Sequence, residues 1–141
     1  MRILLLNGPN LGRLGARNPE VYGHTTLADV VERATRHAAE RGAELIHFHS
    51  NHEGALIDRL EQLDFDAVVI NPGALSHTSY ALRDAIEGLG KPTVEIHISD
   101  VREREPFRRV LVLEDVVIDQ VIGRGIDGYL EAIDLAVANA S

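Results

Sequence analysis

A chain of 141 residues is one domain's worth of protein, long enough to bury a single core. Its 22 acidic and 14 basic residues leave a formal charge of −8, which argues against a general nucleic-acid or anionic-membrane surface. There is no cysteine, so disulfides, thiolate nucleophiles and Cys-based metal centres are excluded, and the only lysine is Lys91. Any lysine-imine chemistry would therefore have to fall on Lys91.

The opening MRILLLNGPN holds too short an apolar run for a signal-peptide core or a membrane span, and no later run approaches the roughly 20 residues a bilayer needs. A cytoplasmic protein is expected, with no membrane partner. Apolar, β-prone runs recur at Ile3–Leu6, Leu45–Phe48, Ala67–Ile70, Thr93–Ile98 and Val116–Ile118. Amphipathic stretches of helical length separate most of them. Thr26–Arg41 sets Leu27, Val30, Val31, Ala34 and Ala38 on one face, with Thr25 or Thr26 as N-cap and Gly42 as stop. Gly54–Leu63 repeats the pattern with Leu56, Ile57, Leu60 and Leu63; Ser79–Leu89 and Gly128–Ala138 follow. Short, non-alternating strands separated by helices predict a parallel sheet buried on both faces. The expectation is a single catalytic domain over residues 1–141: an α/β, flavodoxin-like, doubly wound sheet of five parallel strands with helices on both faces.

Such sheets bind ligands at the carboxyl ends of their strands. Those ends read Asn7-Gly8-Pro9-Asn10, His49-Ser50-Asn51-His52-Glu53, Asn71-Pro72-Gly73-Ala74 and His97-Ile98-Ser99-Asp100, all polar and turn-forming. The Gly8–His24 segment is longer than the usual connection from strand to helix and carries Arg13, Arg17 and Tyr22. It reads as a lid over the strand ends, or as a solvated loop whose Arg and Tyr cover the sheet edge. Asn10, Asn71, His77 and His97 come from separate loops yet should share one rim. Arg108 belongs with them, whereas Arg102, Arg104 and Arg109 read as a solvated charged face. Glu95, two residues before His97, shares its strand face and is positioned either to orient the imidazole or simply to pack.

Two patterns invite other chemistry. Gly123-Arg124-Gly125-Ile126-Asp127-Gly128 matches the dinucleotide fingerprint, but no strand with a ribose-binding acid follows, so a tight turn opening the last helix is expected. His47, His49 and His52 invite a metal reading, and His47 and His49 share a strand face, but no carboxylate or further His is spaced to complete a strong site, and no metal is expected.

The blocks LLNGPNLGRLGARNPEVYG, SNHEGALIDRL, INPGALSHTSYALRDAI, VEIHISDVREREPFRR and IGRGIDGYLEA occur in order across almost the whole chain. In them the sequence closely resembles type II 3-dehydroquinate dehydratase. The resemblance implies a cofactor-free lyase that reversibly dehydrates 3-dehydroquinate to 3-dehydroshikimate, in aromatic biosynthesis or quinate breakdown. It implies Tyr22 as the base that removes a C2 proton, His97 as the acid that protonates the departing C1 hydroxyl, Arg17 beside the base, and Asn10 near the enolate oxygen. Asn71, His77, Ile98, Ser99 and Arg108 would grip the substrate, and Asp84 would reach in from a neighbouring subunit of a homo-oligomer built from trimers, commonly a dodecamer. Asn18, His49 and Ala55 stand where many members carry Glu, Gln and Glu.

The chemistry suits those roles. A free tyrosine, with a pKa of about 10, is a poor base at neutral pH, and a neighbouring arginine can lower an acidic group's pKa by about 1–3 units. Histidine suits proton delivery at neutral pH. Two other readings share the fold: a non-catalytic module binding a small anion at Asn10, Asn71 and Arg108, and a flavin or nucleotide protein.

Overall fold

The computed structural model describes residues 1–16 and 19–140, without the side chains of Val21 and Tyr22. Five strands, β1 (Arg2–Asn7), β2 (Glu44–His49), β3 (Ala67–Asn71), β4 (Thr93–His97) and β5 (Asp119–Ile122), form one sheet in the order β2-β1-β3-β4-β5. Every pairing is parallel. The helices are a single turn α1 (Pro19–Tyr22), then α2 (Leu27–Glu40), α3 (Glu53–Leu60), α4 (Tyr80–Glu87) and α5 (Asp127–Asn139). This is the doubly wound, flavodoxin-like arrangement that the strand and helix pattern predicts.

The strand period of two divides the core. Ile3 and Leu5 of β1, with Ala67 and Val69 of β3, pack under α2 and α5 against Val30, Ala34, Ala132, Ile133 and Ala136. Leu4, Leu6, Val68 and Ile70 point the other way, to Leu56, Leu60, Leu82 and Ile86 of α3 and α4. Both clusters are closed to solvent, which is why these strands read as continuous apolar runs rather than alternating ones. Helix α2 starts where Thr26 forms a capping box with Asp29: each side chain accepts from the other's backbone N–H, both at 3.1 Å.

Three sequence expectations need correction. Val116–Ile118 is not the fifth strand; β5 begins at Asp119. Val116 and Val117 instead pack from a turn into the cluster under α3 and α4. Edge strand β5 is polar, with Val121 its one buried residue, so it carries no apolar run to detect. Helix α3 ends at Leu60 rather than Leu63, which sits at φ 52° and is exposed. The Gly8–His24 segment is also more than a loop: Leu11, which opens a 3-10 turn at Leu11–Arg13, and Leu14, which follows it, are buried in the core under α2 and α5.

Candidate active site

Strand order reverses between β1 and β3, and the carboxyl ends of β1, β3 and β4 surround a pocket there. Asn10, Asn71, His77, His97, Ile98, Ser99 and Arg108 all line it, together with Pro9, Leu11, Gly73, Ala74, Val101 and Arg104. Two close approaches build its floor. The Gly8 N–H donates to the Asn71 carbonyl at 2.8 Å, carrying the β1–β3 ladder one step past the strands. A Cβ on Gly8 would stand 2.7 Å from the Pro72 carbonyl oxygen, and one on Gly73, at φ 59°, 2.9 Å from that of Pro9. Only glycine allows the two loops to cross so closely.

His97 ends β4 and is only 4% exposed. Its Nε2 lies 2.6 Å from Glu95 Oε2, and Glu95 is fully buried. A carboxylate oxygen can only accept, so the proton of this contact sits on Nε2 and the ring is held by the strand it grows from. Gln120 of β5 donates from Nε2 to the other carboxylate oxygen, Oε1, at 2.8 Å. Of the two roles left open for Glu95, orienting the imidazole is the one that the geometry supports.

His77 closes a 3-10 turn over Gly73–His77 and stacks on His97, ring centroids 6.3 Å apart and planes at 20°. Its Nδ1–H donates to the Val110 carbonyl at 2.7 Å, leaving Nε2 as its second polar atom. Burial, followed by the charges of His97 and Arg108, moves its pKa below the usual histidine value despite the Val110 bond, so the ring is neutral at neutral pH with a lone pair on Nε2. Phe107 packs edge-on against the same ring, and Arg108 lies over the Phe107 face.

Arg108 also pairs with Glu105, and the guanidinium holds that carboxyl below the usual range. Arg104 corrects the sequence reading: it is half-buried, lines the pocket, and donates from Nη1 to Ser99 Oγ at 3.2 Å. Arg102 and Arg109 are exposed, as expected. In an arginine-rich run only the return path of the chain decides which guanidinium turns inward. The 3-10 turns Val101–Glu103 and Pro106–Arg109 do so here.

Asn10 takes a left-handed backbone at φ 73°, and its N–H donates to Asn51 Oδ1 at 2.9 Å. Asp84 is not brought to the pocket by its own chain: it is exposed on α4 beside a separate groove with Leu60, Leu63 and Leu89. Arg17 lies outside the described residues, as does the Tyr22 side chain; the backbone of Tyr22 ends α1. Lys91 precedes β4, at the opposite end of the sheet from the pocket, and donates to the Phe65 carbonyl. The glycine-rich turn opens α5 as a tight turn: the Gly123 and Gly125 amides donate to the His97 and Ile98 carbonyls at 3.1 and 3.0 Å. Among the described residues no helix is long and apolar enough to cross a membrane.

A doubly wound sheet with a polar, histidine- and arginine-lined pocket at its switch point is the architecture of a small-molecule α/β enzyme. The family described as "Dehydroquinase class II" matches residues 1–137, and the chain belongs to that family. Its relatives include a 3-dehydroquinate dehydratase of Anoxybacillus flavithermus, 50% identical over 94% of this chain and 91% of that protein. A catabolic 3-dehydroquinase of Pyricularia oryzae is 52% identical over 94% of this chain and 87% of its own. Among solved structures, the type II dehydroquinase of Butyrivibrio crossotus superposes with a TM-score of 0.94 at 41% identity, covering 96% of this chain and 97% of that one. The family's activity, dehydration of 3-dehydroquinate, goes with that membership.

Proposed function

We propose that the chain dehydrates 3-dehydroquinate to 3-dehydroshikimate through an enolate, as a single catalytic domain with no cofactor. Tyr22, its pKa lowered by Arg17, takes the C2 proton beside the ketone, and the electron pair moves onto the carbonyl oxygen. Asn10 helps to hold a donor there, where negative charge develops; one such preorganised donor is typically worth about 3–4 kcal/mol. The enolate then reforms the ketone and expels the C1 hydroxyl, which leaves as water with a proton from His97.

The observation that carries this reading is the Glu95–His97 pair at the pocket wall, with His97 Nε2 held by the carboxylate and Nδ1 left to move a proton. Arg108, His77, Ser99, Ile98 and Asn71 are gathered around it to grip a polyhydroxy carboxylate. The pocket arginines also answer the charge problem, since an anionic substrate meets a chain of net charge −8. Asp84 enters the site from a neighbouring subunit of a trimer-based homo-oligomer, commonly a dodecamer; its exposure on α4 leaves it available for that role. Incubating the purified protein with 3-dehydroquinate should produce the ultraviolet absorbance of the conjugated enone. Absence of that product overturns the reading.

A further inference from the structure

Beneath the pocket a chain of hydrogen bonds, buried at its centre, runs along the α5 side of the sheet from the end of β3 through β1 to β2. The Gly73 N–H donates to Asn71 Oδ1 at 3.2 Å. Asn71 Nδ2 donates to the Tyr129 hydroxyl at 2.8 Å, and that hydroxyl donates on to Asn7 Oδ1 at 2.7 Å. Asn7 Nδ2 in turn lies 3.1 Å from His47 Nε2 on β2. Asn7, Asn71 and Tyr129 are all buried, Tyr129 being only 1% exposed.

The chain has one polarity, set by a group that cannot reverse. A backbone N–H only donates, so Asn71 must turn its carbonyl oxygen to Gly73 and its NH2 to Tyr129. The tyrosine hydroxyl, having accepted, passes its own proton to Asn7, whose NH2 then faces a lone pair on His47. Turning the Asn71 amide over would set its NH2 against the Gly73 N–H, and its oxygen would meet a donor only if the Tyr129 hydroxyl turned away from Asn7 Oδ1. With Oδ1 and one Nδ2 hydrogen committed, the second Nδ2 hydrogen is the polar hydrogen Asn71 has left to offer in the pocket that it lines. Tyr129 reaches this point from α5, an element that contributes no residue to the pocket lining itself. Removal of a tyrosine hydroxyl here leaves the ring packing intact, so the polar and packing roles are separable.

We propose that Tyr129 is a positioning residue whose hydroxyl, oriented by Asn7, fixes the Asn71 amide so that a ligand oxygen always meets it as an N–H donor. The inference rests on the reading of Asn71 as a substrate-gripping residue, and it extends the site to the C-terminal helix. The test compares the full-length wild type with Tyr129→Phe, Asn71→Ala and the double variant over a range of 3-dehydroquinate concentrations. Tyr129→Phe should raise KM about tenfold while kcat stays within about twofold, the size expected for one lost or misdirected hydrogen bond. On the Asn71→Ala background it should add nothing to KM, whereas general loosening of the fold would add to the Asn71→Ala effect. A wild-type KM in Tyr129→Phe, or additive effects in the double variant, overturns the proposal.

A second measurement needs no turnover. In nitrogen-15 NMR of the ligand-free protein, the Asn71 side-chain amide protons should exchange with solvent faster in Tyr129→Phe than in wild type; equal exchange overturns the positioning role. A wild type that leaves 3-dehydroquinate untouched would defeat the functional reading while this exchange experiment still decides the role of Tyr129. If Tyr129→Phe does not fold, Asn7→Leu removes the acceptor that aims the hydroxyl and reads out the same exchange.

Discussion

Glu95 and His97 stand two residues apart on one strand, point to the same face, and meet at 2.6 Å where water does not reach either of them freely. The strand period makes this contact inevitable once both side chains turn inward, and the Gln120 bond to the far carboxylate oxygen keeps the carboxylate from swinging away. Glu95→Ala should therefore lower kcat by about 10–100-fold, less than the loss of the imidazole itself, because the ring keeps its chemistry but loses its orientation. Steady-state kinetics on a variant with wild-type circular dichroism decides it; an unchanged kcat would remove Glu95 from the mechanism.

Tyr22→Phe removes the proposed base without removing the residues that grip the substrate. Turnover should fall by at least about 10²–10⁴-fold while a substrate analogue still binds by calorimetry. Arg17→Ala should lower turnover less and shift the rising limb of the pH–rate profile to higher pH, because the tyrosinate loses its stabilising charge. Rates unaffected by either substitution would send the search for the base elsewhere.

The two pocket arginines should separate from the exposed ones. Arg108→Ala and Arg104→Ala are each expected to raise KM about 10–100-fold, the cost of losing a charge-assisted contact to an anion. Arg102→Ala and Arg109→Ala should sit near wild type. Four KM values measured side by side test the assignment, and a uniform response would show that only overall charge matters.

Stability should depend on pH in two separate windows. His47, through burial and then its neighbour His49, and His77, through burial first, both protonate at lower pH in the folded protein than the ordinary 6.5. Between the folded and unfolded values the unfolded chain binds more protons, so stability is complete above about pH 6.5 and falls as the pH drops below it. Each imidazole contributes at most about 1.4 kcal/mol per pH unit. Asp64, Asp115 and Glu105, held below their usual range chiefly by hydrogen bonds from Arg59, Arg83 and Arg108, add their loss only near pH 4 and lower. Urea midpoints from pH 8 to 4 should show the first decline, and His47→Gln should flatten it. A profile flat between pH 7 and 5 contradicts this picture.

Lys91 should be dispensable for chemistry. It sits a whole strand away from His97 and is occupied by the Phe65 carbonyl and, 5.2 Å off, the Phe65 ring. Borohydride added with substrate is expected to leave the protein active, and Lys91→Gln to leave kcat unchanged. Inactivation by borohydride would mean an imine route.

Much of this fold is legible in the sequence because its strands are buried on both faces and its helices carry one apolar stripe each. What escapes has a physical cause. β5 is hidden because an edge strand with one buried residue has no hydrophobic pattern, while the apolar pair just before it, Val116 and Val117, is core supplied by a turn. The rim residues Asn10, Asn71, His77 and His97 are legible because strand ends are punctuated by polar turns. Arg104 is not, since consecutive charged residues look alike until the chain's path turns one of them inward. The Asn7–Tyr129–Asn71 chain is invisible too: a tyrosine on the apolar face of a helix reads as core, and only the fold brings positions 58 and 122 residues apart into contact.

The glycine turn between β5 and α5 resembles a phosphate cradle in its letters, yet its amides are already engaged by the peptide carbonyls of His97 and Ile98. It works as a clasp between the end of the chain and the wall of the pocket. Two backbone protons far along the sequence, those of Gly123 and Gly125, thereby become native reporters of that wall. Any ligand or substitution that pulls the His97–Ile98 peptides toward the pocket must lengthen those two bonds, and their amide resonances will register it without a label in the site.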